Sequence, residues 1–196
     1  MIKLITCTGD EICVNKDEAY RYMGLCRDYS NAEFERIYGE CLGEYRKNVF
    51  YKGVYRESSL SFGEGDELFF DFCSFKSHAL KKNLEGCSSV VVFAATAGIN
   101  IDRMLLKYRA LSQLKLMTAD CIASSGIECF CDRINGIISE GRETKPRFSL
   151  GYGDTELKYQ SDLLRFLDAE KTLGITLNEF MMMTPKKSVT AFIGVK

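Results

Sequence analysis

Val90-Val91-Val92-Phe93-Ala94-Ala95 is an unbroken apolar run rich in β-branched and aromatic residues. It lacks the alternation of a half-solvated strand, so it predicts a central strand covered on both faces. It ends in Thr96-Ala97-Gly98 and leads into a helix beginning near Asn100, a turn that can aim backbone N–H groups at an anion. As a dinucleotide fingerprint it fails, because only one of the three required glycines is present. Two β-like stretches lie upstream, Val49 to Tyr55 and Leu68 to Phe72, separated by the glycines of Gly63-Glu64-Gly65-Asp66. Downstream, Phe180-Met181-Met182-Met183, a turn through Thr184-Pro185-Lys186-Lys187, and Ser188 to Val195 predict an antiparallel hairpin. Val189, Ala191, Ile193 and Val195 would share one face of it, with the methionines as flexible core filler.

The remaining apolar pattern is helical. Asn15-Lys16-Asp17-Glu18 and Ser30-Asn31-Ala32-Glu33 each set a capping side chain three residues before a Glu. The second start opens the stripe Phe34, Ile37, Tyr38, Cys41, Leu42 and Tyr45. A longer helix from about Leu114 to Ile138 carries Leu116, Ala119, Ala123, Ile127, Phe130, Ile134 and Ile138 on one side. Its middle, Ala123-Ser124-Ser125-Gly126, is small-sided, and Glu128 follows Ser124 by one turn on the same face. That combination suits a ligand's close approach, but on these residues alone a close helix crossing with a solvated Glu128 is the favoured reading. A last helix, Leu157 to Leu173, would be closed by Gly174. The expected fold is therefore α+β: a mainly antiparallel sheet formed by the central and C-terminal strands, packed against long helices, with residues 1–47 a helical N-terminal region. No repeat, low-complexity tract or linker divides 1–196, so one domain is expected.

Composition narrows the function. Twenty-six Lys and Arg face 27 Asp and Glu, a net charge of −1, and no run of five like charges occurs. A phosphate-tracking nucleic-acid binder needs a basic face, so none is expected. The sequence has no apolar stretch of membrane-spanning length and no signal-peptide pattern, which predicts a cytoplasmic protein without a membrane role. Nine cysteines, an odd number without a CxxC, and the single histidine, His78, do not assemble a disulfide framework or a usual zinc site. Most of the cysteines are expected to pack as small reduced hydrophobes, and no metal site is assigned. One histidine beside Phe75-Lys76-Ser77 and Ala79 leaves no Ser/His/Asp or Cys/His hydrolase, and no catalytic side chain is assigned.

Both prolines of the chain lie in its C-terminal quarter or just before it, Pro146 and Pro185. Pro146 precedes Arg147-Phe148-Ser149-Leu150-Gly151-Tyr152-Gly153-Asp154. Glycines there permit positive φ and close backbone approach, an Arg fork suits a carboxylate, and a tyrosine face suits a planar ring. A tight surface loop would have the same composition.

Three C-terminal segments carry a resemblance. Arg147 to Asp154, Leu167-Asp168-Ala169-Glu170-Lys171-Thr172-Leu173-Gly174-Ile175-Thr176-Leu177-Asn178-Glu179, and Lys187-Ser188-Val189-Thr190-Ala191 are similar, in order and spacing, to the R-x-x-x-G-Y loop, the following helix and the "SVS" strand of the activation (reactivation) domain of vitamin B12-dependent methionine synthase. Asp17-Glu18-Ala19-Tyr20-Arg21-Tyr22-Met23-Gly24 and Val90 to Gly98 resemble its stand-alone, clostridial/Thermotoga-type versions, which extends the similarity over nearly the whole chain.

The resemblance implies an S-adenosylmethionine-binding reactivation subunit, accessory to a methyltransferase. It would support reductive methylation of cob(II)alamin to methylcobalamin, with the cobalamin bound by a partner. The partners implied are a corrinoid-binding methionine synthase core and a low-potential electron donor such as flavodoxin or ferredoxin. The alternatives are a reactivator of another corrinoid protein and a non-catalytic S-adenosylmethionine-binding module; a thiol-based redox or metal protein rests on cysteine number alone. The resemblance assigns Arg147 to the ligand's carboxylate and Gly151 and Tyr152 to its adenine. Ser149 belongs to the same loop. The family's helical glutamate falls on Ser124, with Glu128 a turn away, and its N-terminal aspartate has a candidate in Asp71. Leu150 departs from the pattern, standing where the family has a proline or a small residue.

Overall fold

The computed structural model describes residues 1–26, 29 and 31–196. In chain order its elements are β1 (Lys3–Thr8), α1 (Lys16–Tyr22), α2 (Ala32–Asn48), β2 (Phe50–Phe62), β3 (Glu67–Phe70), β4 (Ser74–Lys76), α3 (His78–Asn83), β5 (Ser89–Thr96), α4 (Ile99–Leu111) and α5 (Gln113–Ser139). There follow a 3-10 turn (Leu157–Tyr159), α6 (Gln160–Phe166), α7 (Ala169–Leu173), β6 (Thr176–Leu177), β7 (Met183–Thr184) and β8 (Ser188–Val195).

The fold is α+β, built on a curled antiparallel sheet of order β4-β3-β2-β5-β8. The apolar run is β5, buried along all of its length except Ser89, between β2 (Val54 opposite Ala94) and β8 (Phe93 opposite Ala191). Long β2 serves three partners: one edge lies along β5, while the other pairs first with β1 and then, through Leu60 to Phe62, with β3. Side-chain alternation sends Val91, Phe93 and Ala95 with Ala191 and Ile193 into a core beneath α1, α2, α4 and α5. Val90, Val92, Ala94 and Phe192 enter a second core under α3, α6 and α7. Burying each such large apolar side chain contributes about 1.5–3 kcal/mol, and burial on both faces explains why β5 has no polar period.

The helix starts follow their caps. The Asn15 side chain accepts from the Glu18 N–H and that of Asn31 from the Phe34 N–H. The capping side chain expected three residues before Glu33, Ser30, lies outside the described residues, and the observed cap of α2 stands one residue later, at Asn31.

Several expectations need correction. Residues 1–47 are not purely helical, because β1 precedes the two helices and pairs with β2 from Lys3↔Tyr55 to Thr8↔Phe50. The helix expected over Leu157 to Leu173 is broken at Asp168, which adopts the left-handed conformation (φ 49°) that Asp tolerates better than most residues. The break lets Leu163, Leu167, Ala169 and Leu173 all reach the second core, and Gly174 closes α7 as expected. The C-terminal hairpin does not form: β8 pairs with β5 over its whole length, whereas β7 pairs with β6. Eight residues of ladder against a buried strand outweigh a four-residue partner whose Phe180 and Met182 stay exposed. Among those methionines, only Met183 packs against a core.

Candidate functional site

Four polar residues of α5, Asp120, Ser124, Glu128 and Asp132, recur at four-residue intervals and so share one face. Facing them is the outer edge of β8, extended by the segment before the glycine loop. Phe148 and Phe192 exchange backbone hydrogen bonds of 2.9 and 2.8 Å, and the Lys145 N–H donates to the Gly194 carbonyl at 2.9 Å. With Phe148 packed on the second core, strand alternation turns Arg147 to the opposite face, toward α5. Its Nη2 lies 2.5 Å from Glu128 Oε2 and its Nη1 2.5 Å from Asp132 Oδ1. One and two turns earlier on α5, Lys187 Nζ donates to Ser124 Oγ at 2.8 Å and pairs with Asp120 Oδ1 at 2.9 Å. Two cations thus face three carboxylates, an excess of one negative charge that favours a cation nearby.

The loop beyond Arg147 is anchored at both ends. Leu150, the departure from the family pattern, is buried in the second core, where its larger side chain fixes the loop. Gly151 and Gly153 have φ of 87° and 60°, and a Cβ at Gly153 would stand 2.7 Å from that of Ala79. The close approach arises because Asp154 accepts from Ser77 Oγ (2.6 Å), the His78 N–H (2.8 Å) and the Ala79 N–H (3.1 Å) at the start of α3. These bonds pull its carboxyl down to about 2. Tyr152 is left 68% exposed at the loop's crest. Glu128, Arg147, Phe148, Ser149, Tyr152 and Val189 line a cleft of about 350 Å³, near the lower end for small-molecule sites.

The structure therefore brings Arg147, Ser149, Tyr152 and Glu128 into one cleft. Gly151 shapes the loop without lining that cleft, and Ser124 lies a turn away in the grip of Lys187. Asp71 is not part of it; its carboxylate accepts from the N–H (3.0 Å) and hydroxyl of Ser59, tying the β3–β4 turn to β2. The small side chains of α5 largely serve packing. Ser125 Oγ donates to the Asn15 carbonyl at 2.8 Å, and a Cβ on Gly126 would lie 2.3 Å from the Tyr45 hydroxyl. Lys187, Asp132, Phe148 and Val189 were not assigned from the sequence. The four-residue recurrence of Asp120, Ser124, Glu128 and Asp132 was the available signal.

A larger hollow, about 650 Å³, lies by Asp66, His78 and Lys81. There His78 Nδ1 is 3.0 Å from Asp66 and Lys81 Nζ donates to the Gly63 and Gly65 carbonyls, so three of its polar side chains already have partners. Size alone would select it, but it gathers no fork, ring and acid around one space, and the smaller cleft remains the candidate. All nine cysteines are free thiols, and among the described residues no cluster of His, Cys, Asp and Glu is placed to hold a metal ion. No helix among the described residues is long and apolar enough to cross a membrane.

No protein-family model and no curated protein matches the sequence. Among solved structures, the fold is similar to that described as the MetH reactivation domain bound to AdoHcy, with a TM-score of 0.76 and 14% identity. The match covers 99% of this chain and 78% of that one. Over nearly its whole length the chain thus has the architecture of that reactivation domain.

Proposed function

We propose that the chain binds S-adenosylmethionine in the cleft between α5 and the Arg147–Tyr152 loop and acts as an accessory reactivation subunit for a corrinoid methyltransferase of the methionine synthase type. One observation carries this reading: Arg147, Ser149, Tyr152 and Glu128, chosen from sequence resemblance, converge on a single cleft. That the solved structure of similar fold is a MetH reactivation domain bound to AdoHcy supports the same ligand class.

The residues fit such a ligand. Arg147 commits two of its five N–H donors to α5, one to Glu128 and one to the exposed Asp132, and so is not saturated by a forked partner. The carboxylate excess on α5 faces the sulfonium and ammonium, while the exposed Tyr152 ring and the Gly151 backbone offer adenine a stacking face and close contact. No acid or base is required, because the bound ligand supplies a methyl group on a sulfonium, already a good leaving group. The methyl cation and one electron from a flavodoxin- or ferredoxin-like donor would convert cob(II)alamin on the partner to methylcobalamin, releasing S-adenosylhomocysteine. The chain's part is orientation and exclusion of water.

The thiol-based alternative is disfavoured at three buried or half-buried cysteines, whereas Cys13 and Cys26 are exposed. Burial raises the thiols of Cys41, Cys121 and Cys73, the last to about 12, which suppresses the reactive thiolate.

Calorimetric titration of the wild type and of Arg147→Ala with S-adenosylmethionine tests the assignment. Loss of a charge-assisted pair to a partly buried Arg costs about 1.5–3 kcal/mol, so affinity should fall about ten- to a hundredfold. Equal affinities would remove Arg147 from the site, and absence of wild-type binding would remove the ligand.

A further inference from the structure

The geometry points to Asp132 as an internal stand-in for the ligand's carboxylate, occupying one end of the Arg147 fork and setting the selectivity of the cleft. The inference rests on the S-adenosylmethionine reading above. The two acids on Arg147 are not equivalent. Glu128 lines the cleft with its side chain 37% exposed, whereas Asp132 lies outside it, a turn further along α5, with its side chain 70% exposed.

A guanidinium holds a carboxylate most strongly through two parallel N–H···O bonds. Here the terminal nitrogens go to different acids, Nη2 to Glu128 and Nη1 to Asp132, so Arg147 is oriented without being saturated by a forked partner. An arriving carboxylate completes an end-on fork most readily by displacing the acid that solvent can rehydrate. That acid is Asp132, since an exposed ion pair contributes little. Glu128 keeps its place and faces the cationic side of the ligand. The two carboxylates therefore act with opposite sign: Asp132 competes with the ligand, and Glu128 attracts it.

The test compares wild type, Asp132→Ala and Glu128→Gln by calorimetry with two ligands, S-adenosylmethionine and its decarboxylated analogue. The analogue retains the adenosine, sulfonium and amine. Asp132→Ala should bind S-adenosylmethionine about two- to fivefold more tightly, the range spanned by one exposed pair, and the decarboxylated analogue no more tightly than wild type does. Glu128→Gln should bind both ligands more weakly. Asp132 is an exposed helical position, so the alanine variant should keep the wild-type Tm. If the wild type binds and Asp132→Ala binds S-adenosylmethionine equally or less tightly, or gains equally on both ligands, the stand-in role is overturned while the ligand assignment survives. If neither wild type nor variants bind, the ligand assignment falls and the inference with it.

Discussion

At the scale of single residues, the cleft depends on side chains that never touch it. Asp154 stitches the glycine loop to the start of α3 through three hydrogen bonds, and those bonds hold its carboxyl at about 2, below the ordinary value of 3.8. A depressed carboxylate contributes its full stability above the unfolded value and loses it as pH falls toward the folded one. Thermal unfolding of the wild type should therefore show a component lost between about pH 4 and pH 2. In Asp154→Asn that component should be absent, and Tm at neutral pH should be lower. Identical pH profiles for the two proteins would show that the stitch contributes nothing. Glycines at 151 and 153 and an Asp at 154 were visible as a turn. The acceptors' donors, 75 to 77 residues earlier, were not, because a loop's anchor is chosen by what the fold brings beside it.

At the scale of elements, α5 carries two demands on adjacent faces. One face packs on the sheet and on α2. There the Tyr45 and Tyr51 hydroxyls meet at 2.6 Å directly opposite Gly126, and Phe130 stacks on Tyr51 at 5.0 Å between ring centroids. The other face presents the row from Asp120 to Asp132. Gly126→Ala would drive a methyl to within 2.3 Å of the Tyr45 hydroxyl and 2.5 Å of that of Tyr51. Overpacking of this kind costs about 1–3 kcal/mol, despite the better helix propensity of Ala. Urea denaturation should show that loss as a lower midpoint with an unchanged slope; an unchanged midpoint would mean that the tyrosine pair yields freely. The helix's length and apolar stripe were legible because 3.6-residue periodicity is a local property. Whether its small residues met a ligand or another helix was undecided in the sequence, and for Ser125 and Gly126 the answer is packing.

At the scale of the whole molecule, the proposed activity belongs to an assembly. Conversion of the visible spectrum of cob(II)alamin to that of methylcobalamin should require this chain, a corrinoid-loaded partner, S-adenosylmethionine and a low-potential electron source together. Equal conversion without this chain would refute the reactivation role and leave the binding-module reading. The α+β class, β5 and the cap at Asn15 were readable in sequence, while Arg147, Ser149, Tyr152 and Glu128 were picked out by the family resemblance. The first three follow from local chemistry: periodicity, continuous apolarity, or a side chain within reach of its own helix. Tertiary structure alone decided that β8 runs along β5 without a hairpin to the methionine segment, that β1 and β3 share an edge of β2, and that a helix breaks at Asp168. It alone placed Lys187 and Asp132 beside the cleft. Those outcomes are contests between partners far apart along the chain, settled by buried area and complete hydrogen bonding, which no local stretch of sequence can compute for itself.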